Sequence, residues 1–262
     1  MYLSIKNDAI FVADSHFNQK NRELLSLLKK IESNDIVTSQ LFLMGDIFDF
    51  ISGESRYFIK QNQEVITLLN KLALKIKIVY LEGNHDYNLQ SVFPNIKVIK
   101  RENQPFFAKL EDGKTVALSH GDNFINWKYD TYCKFIRNTW FLKFMNFIDF
   151  NYFISKKIEE KLVQKNICHK ITNFENIVKK RVQNYDTQII IEGHYHQGKE
   201  YLKDDKRYIN IPSLCCQKEY VRLSELEFRR ERVYECLFNR IYSDSCNIIN
   251  TSFLSYYEYK GK

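Results

Sequence analysis

Leu41-Phe42-Leu43-Met44-Gly45-Asp46-Ile47-Phe48-Asp49 is the stretch on which the reading of this chain turns. A short apolar run of this kind reads as a buried strand. Gly45 permits a tight turn at its end. Asp46 is thereby delivered to the C-terminal edge of the strand, where open α/β sheets place their ligands. One acidic strand end proves little, but the neighbouring segments repeat the arrangement.

On the N-terminal side, Ala9-Ile10-Phe11-Val12-Ala13 is a second apolar strand that stops at Asp14-Ser15-His16. From Gln19 to Ile31, Leu24, Leu25, Leu28 and Ile31 share one helical face. On the C-terminal side, the spacing of Phe58, Val65, Leu68, Leu69 and Leu72 predicts one long helix from Arg56 to Lys75. Ile76 to Leu81 is the next strand, ending in Glu82-Gly83-Asn84-His85-Asp86. Strand–helix–strand–helix–strand predicts an α/β sheet. Ile96–Ile99 is a further strand. Phe106–Leu110 and Thr115–Leu118 flank the turn Glu111-Asp112-Gly113-Lys114 as a hairpin, and its second arm runs into Ser119-His120-Gly121-Asp122. Such pairing predicts a second sheet stacked on the first. Strand signals then fade until Gln188–Ile191, which leads into Glu192-Gly193-His194-Tyr195-His196. Tyr208–Pro212 and Tyr220–Phe228 are expected to close the sheets. The domain reading is a core of residues 1–122 and 188–234, a helical insertion at 123–187, and a tail at 235–262 with no assigned structure.

The 262 residues suit one domain with an insertion, and 44% hydrophobic with 27% charged residues excludes a disordered chain. The net charge of +7 favours anionic partners such as nucleic acid, phosphorylated substrates or an anionic membrane face. No C-x-x-C pair occurs among the six cysteines, and no basic start with an apolar core opens the chain. Free thiols in a reducing cytosol are therefore expected. The apolar region Trp140–Ile154 is interrupted by Lys143, Asn146, Asp149 and Asn151. A spanning helix needs about 20 predominantly apolar residues, so this region does not span.

Five of the six histidines lie at strand ends, beside acidic or amide residues. Imidazole, carboxylate and amide oxygen without thiolate suit borderline divalent metals. Asp46 has two oxygens and is able to bridge two ions. A pair of ions about 3.5–4 Å apart clamps the attacking and leaving oxygens of a phosphoryl displacement. His169 belongs to no such group and reads as structural.

Taken together, Asp14-x-His16, Gly45-Asp46-x-x-Asp49, Gly83-Asn84-His85-Asp86, His120-Gly121-Asp122 and Gly193-His194-x-His196 resemble the calcineurin-like metallophosphoesterases. The resemblance implies a four-layer α/β/β/α sandwich with two divalent ions at one edge, Mn2+ foremost and Fe, Zn or Mg as others. It assigns Asp14, His16, Asp46 and His196 to one ion, and Asp46, Asn84, His120 and His194 to the other. His85 becomes a non-ligand near the scissile phosphate, oriented by Asp86, with Asp49 and Asp122 as outer supports. The implied reaction is attack of metal-activated hydroxide on phosphorus.

The insertion between the His120 and His194 motifs is expected to cap the site. Its aromatic crowding is similar to the lid of UDP-2,3-diacylglucosamine hydrolases, whose acidic-Tyr-Phe-Arg-Trp pattern Asp130, Tyr132, Phe135, Arg137 and Trp140 echo. Those enzymes carry Arg where this chain has His85. This resemblance implies hydrolysis of UDP-2,3-diacylglucosamine to UMP and 2,3-diacylglucosamine 1-phosphate, in lipid A biosynthesis. Lys128, Tyr132, Lys134, Arg137 and Trp140 become candidate substrate contacts. The insertion's basic and aromatic composition also suits a cytoplasmic protein resting peripherally on the inner, anionic face of the cytoplasmic membrane. A nucleotide or general phosphodiesterase, a nuclease and a non-catalytic scaffold are the other readings.

Overall fold

The computed structural model describes residues 2–234. The tail at 235–262, with Cys236 and Cys246, lies outside the described residues. In chain order the elements are β1 (Leu3–Ser4), β2 (Ile10–Val12), α1 (Glu23–Glu32), β3 (Gln40–Leu43), β4 (Ile51–Ser52), α2 (Arg56–Gln61), α3 (Gln63–Leu72), β5 (Lys77–Leu81), β6 (Asp86–Tyr87), β7 (Lys97–Ile99), β8 (Phe106–Lys109) and β9 (Thr115–Ser119). Four helices follow: α4 (Trp127–Ile136), α5 (Thr139–Ile148), α6 (Phe153–Gln164) and α7 (Phe174–Val182). The chain then returns through β10 (Ile189–Glu192), β11 (Lys199–Lys203), β12 (Lys206–Asn210), α8 (Leu214–Gln217), β13 (Glu219–Ser224) and β14 (Glu227–Arg232).

Two six-stranded sheets stack, ordered β1-β8-β9-β10-β12-β11 and β14-β13-β2-β3-β5-β7. Side chains alternate across a strand, and that alternation builds the layers. Ile10, Val12, Leu41 and Leu43 face outward to meet Leu24, Leu28, Val65 and Leu69 of α1 and α3. Phe11, Phe42 and Val79 face inward and meet Val116, Leu118, Ile189 and Ile191 of the other sheet. On that sheet's far side, Ala117, Ile190 and Tyr208 pack against Phe174, Val178 and Val182 of α7. The result is the expected four-layer α/β/β/α sandwich.

β2, β3 and β5 are parallel with level ends, Val12 opposite Leu43 and Leu43 opposite Tyr80. β9 and β10 are likewise parallel, with Ser119 opposite Glu192. Level ends bring the turns after five strands to one edge of the sandwich.

Four local readings are corrected. The long helix is interrupted at Asn62, whose φ of −98° and ψ of 12° leave helical geometry; its N–H and its Nδ2 both donate to the Phe58 carbonyl, at 3.0 and 2.8 Å, as short amide side chains do when they turn to the local backbone. Tyr220–Phe228 is a hairpin, turning at Glu225 and Leu226 with φ of 51° and 63°. β11 had no sequence signal because it is a Lys-bearing edge strand, a common protection of sheet edges. The thiols are not all free: Cys168 and Cys216, 48 residues apart, form a disulfide. Adjacency of Cys215 and Cys216 disfavoured a bridge between neighbours, whereas the partner comes from across the fold.

α4 to α6 bury few side chains, only Cys133, Leu142 and Ser155 falling fully inside. They dock on the sandwich through polar contacts. Arg137 Nη2 donates to the Gly83 carbonyl at 2.6 Å, Tyr57 Oη donates to Glu159 at 2.6 Å, and Arg101 pairs with Asp130 at 2.7 Å. No helix among the described residues is long and apolar enough to cross a membrane.

Candidate metal centre

The turns after β2, β3 and β10 bend sharply. Asp14, His16, Asp46, His194 and His196 adopt φ of 49°, 40°, 50°, 65° and 57°, the left-handed region that side-chain-bearing residues avoid. Such conformations cost about 1–3 kcal/mol each and persist where the surroundings over-determine them. Here the turns hold one another. Asp14 N–H donates to the Gly45 carbonyl at 3.1 Å, and His16 N–H to the Asp46 carbonyl at 3.0 Å. His194 N–H reaches Asp14 Oδ2 at 2.8 Å, and His85 N–H reaches Asp46 Oδ1 at 2.8 Å. Two glycines are obligatory for this approach. A Cβ on Gly45 would strike the His120 ring, and one on Gly83 would strike Asp46.

Within this edge the donor atoms of Asp14, His16 and His196 lie within 4.8 Å of one another, as do those of Asp46, His120 and His194. Asn84 Oδ1 sits 3.2 Å from His120 Nε2. Asp46 faces both groups, with Oδ1 3.5 Å from His120 Nε2 and Oδ2 3.9 Å from His16 Nε2. His194 and His196, two residues apart, enter different groups because the segment is irregular rather than extended. Both ring nitrogens of His16 are buried without a hydrogen-bond partner. A buried imidazole with nothing to bind is costly unless a cation receives it. The donor set therefore fits two divalent ions. A third group brings His85 together with His16 and Asp46.

A family model described as calcineurin-like phosphoesterase matches residues 9–198, which contain every one of these donors. The chain belongs to this family. It is accordingly a metal-dependent phosphoesterase. Similar curated proteins include the UDP-2,3-diacylglucosamine hydrolase of Wigglesworthia glossinidia brevipalpis, 25% identical over 213 residues that cover 76% of this chain and 83% of that one. That of Histophilus somni strain 129Pt is 26% identical over 200 residues, covering 71% and 83%. Among solved structures, a novel archaeal phosphodiesterase is similar with a TM-score of 0.45 and 13% identity, over 86% of this chain and 98% of that chain. The phosphoesterase Yfce from E. coli gives 0.43 and 12%, over 86% and 99%.

Backbone carbonyls set the imidazoles of this phosphoesterase. His120 Nδ1 bonds Met44 O at 2.9 Å, His196 Nδ1 bonds Ile167 O at 2.9 Å, and His85 Nδ1 bonds Asp49 O at 2.6 Å. A proton held at Nδ1 leaves Nε2 free as a ligand or a proton carrier. Burial pushes the His120 imidazolium down, but Asp46 and Asp14 outweigh it and raise its pKa to about 9. His194 drops to about 4, through burial and then the charge of His120. Burial pushes Asp46 upward, yet the surrounding His120, His85 and His16 hold it well below the usual carboxylate range.

Asp86 departs from its expected place. It does not orient His85, whose Nδ1 is taken by the Asp49 carbonyl. Fully buried, it accepts from the N–H groups of Asp46, Ile47 and Gly83 and from the Tyr80 hydroxyl, at 2.6–3.0 Å. Burial, then Asp46, raises its pKa to about 6. Asp49 Oδ1 stands 3.6 Å from His16 Nδ1, and Asp122 Oδ2 accepts from Arg101 Nε at 2.6 Å. Two supports escaped the sequence reading. Gln104 accepts from His120 N–H at 2.7 Å, and buried Arg181 pairs with Glu192 and bonds Asn123, tying α7 to the turns after β9 and β10. Neither carries a local signal, since Arg181 reads as one of three basic residues ending a helix.

Beside Asn84 and His85 opens a cavity of about 550 Å³. Its walls include Tyr132, Ile136, Phe141, Leu142, Met145, Ile154 and Ile158 from the helical insertion. Arg137 turns inward over the Tyr87 ring, 5.2 Å from its centroid. Lys128, Lys134 and Trp140 are exposed on the insertion's outer surface.

Proposed function

We propose that this phosphoesterase hydrolyses the pyrophosphate of UDP-2,3-diacylglucosamine to UMP and 2,3-diacylglucosamine 1-phosphate. The observation that carries the reading is the largely apolar cavity running from Asn84 and His85 beneath the insertion. Each acyl methylene buried there contributes about 0.8 kcal/mol, which no soluble nucleotide supplies. The names of the similar curated proteins agree with it.

Asp14, His16, Asp46 and His196 would hold one ion, and Asp46, Asn84, His120 and His194 the other. The oxygen and imidazole donors suit Mn2+. When bound, such ions lower the pKa of water toward neutrality and offset phosphate charge. In the reaction a P–O bond forms from water to the α-phosphorus, and the bridging oxygen leaves with the sugar phosphate. His85, fixed by the Asp49 carbonyl, presents Nε2 to that phosphate, to stabilise its charge or to protonate the leaving oxygen. Tyr132 faces the cavity, while Lys128, Lys134 and Trp140 would meet phosphate or headgroup from outside, and Arg137 steadies the turn at Gly83.

The outer face of the insertion exposes Trp127, Trp140, Phe144, Phe147, Phe150 and Phe153, each at least 58% accessible. With the net charge of +7, this supports peripheral contact with the anionic inner face of the cytoplasmic membrane, where an acylated substrate resides. The deciding experiment compares turnover of UDP-2,3-diacylglucosamine, a deacylated UDP-sugar and an aryl phosphodiester with Mn2+ supplied. Strong preference for the acylated compound is expected. Equal turnover of all three would select a general phosphodiesterase instead.

A further inference from the structure

The disulfide lies against the proposed metal centre, and its two cysteines belong to the two segments that grip His196. Cys168 sits in the loop joining α6 to α7. The preceding residue, Ile167, supplies the carbonyl that holds His196 Nδ1 at 2.9 Å. That loop is otherwise tied down by Gln197, which accepts from Ile171 N–H at 3.0 Å and donates to the His169 carbonyl at 3.2 Å. Cys216 sits in α8. The cap of that helix, Ser213, donates to the Asp14 carbonyl at 2.8 Å, and Gln217 Nε2 donates to the His196 carbonyl at 2.6 Å. Cys216 Sγ itself lies 3.8 Å from His196 Nδ1. The bridge thus crosslinks the loop that orients the His196 ring to the helix that holds its backbone and that of Asp14.

We propose that the Cys168–Cys216 bridge makes the Asp14–His16–His196 ion site redox-responsive, oxidised protein holding that ion tightly and reduced protein holding it weakly. The inference rests on the dimetal reading given above. Cys168 is exposed and Cys216 half-buried, so a thiolate from solvent reaches the Cys168 sulfur. Exposed disulfides of this kind are the labile ones. With a dithiol reductant, one thiolate forms a mixed disulfide with Cys168 and the S–S bond breaks. Cys216 leaves as thiolate and takes a proton. The second thiol then resolves the mixed disulfide, so the reductant becomes a cyclic disulfide and the protein gains two electrons and two protons. The freed Cys216 sulfur competes with the Ile167 carbonyl for the Nδ1 proton of His196, and the loop loses its covalent tie. Outer partners of a metal-binding histidine set its orientation, and their loss costs about 10–100-fold in affinity. Cys215 Sγ lies within 4.8 Å of both sulfurs of the bridge, but it is buried, and burial pushes its thiol up to about 11, which disfavours the thiolate needed for exchange.

The test uses the full chain. Peptide mapping of oxidised protein should recover a Cys168–Cys216 crosslink. Chelated protein is then titrated with Mn2+ alone, followed by electron paramagnetic resonance, before and after reduction and removal of the reductant without oxygen. Oxidised protein should bind two ions. Reduced protein should bind one of them about 10–100-fold more weakly, and reoxidation should restore it. Cys168→Ser, at an exposed position, should behave as permanently reduced, while Cys133→Ser should keep the redox response. Two ions bound with the same affinity in both states, or a missing crosslink, overturns this inference alone. Oxidised protein that binds no Mn2+ overturns the dimetal reading and this inference with it.

Discussion

Asp46 and Asp86 have identical side chains and opposite duties. Asp46 turns its oxygens to the site imidazoles, whereas Asp86 turns its own to three backbone N–H groups and a tyrosine hydroxyl. Asp86→Ala therefore leaves buried donors unpaired and should lower stability in urea denaturation, by about 1–3 kcal/mol for a donor left without a partner. His85→Ala should do the reverse. It leaves the denaturation midpoint unchanged, retains both ions by elemental analysis, and lowers kcat by about 10²-fold or more. Loss of an ion in that variant would make His85 a ligand, as its convergence with His16 and Asp46 allows.

At the scale of elements, the insertion has two apolar surfaces with different work. α5 sends Leu142 and Met145 into the cavity and leaves Trp140, Phe144 and Phe147 outside. Leu142→Asp should raise KM for an acylated substrate about tenfold or more, since losing contact with two methylenes removes roughly 1.6 kcal/mol. An aryl phosphodiester should be turned over as before, because the change lies in the cavity wall and not among the donors. An equal loss on both substrates would place Leu142 in holding the insertion together rather than in substrate binding.

For the molecule as a whole, the candidate centre joins the two sheets. Asp14, Asp46 and Asn84 follow strands of one, and His120 and His194 follow strands of the other. Ions held there by residues of both sheets would stabilise the stacking of the sandwich. Mn2+ at 100 times its dissociation constant adds about 2.7 kcal/mol per site. For a chain of this size that is a rise in Tm of about 5–11 °C per site. Calorimetry with chelator and with Mn2+ should show this difference, and an unchanged Tm would mean that no ion binds at the junction of the sheets.

Much of the fold was legible along the chain. Short apolar runs leading within two residues into Gly, Asp or His marked β2, β3, β5, β9 and β10, and the residues just after those runs carried the donors of the centre. Both signals are local, because strand period and turn chemistry are written into neighbouring residues. The break at Asn62, the edge strand β11, the inward duty of Asp86, the Arg181–Glu192 tie and the pairing of Cys168 with Cys216 were not legible. Each depends on a partner distant in sequence or on a competition between side chain and backbone, and composition cannot rank such outcomes. Sequence alone determined which residues stand at the strand ends. Only the tertiary structure decided what each side chain meets there, because level strand ends and sheet stacking bring together donors that the chain keeps as far apart as Asp14 and His196.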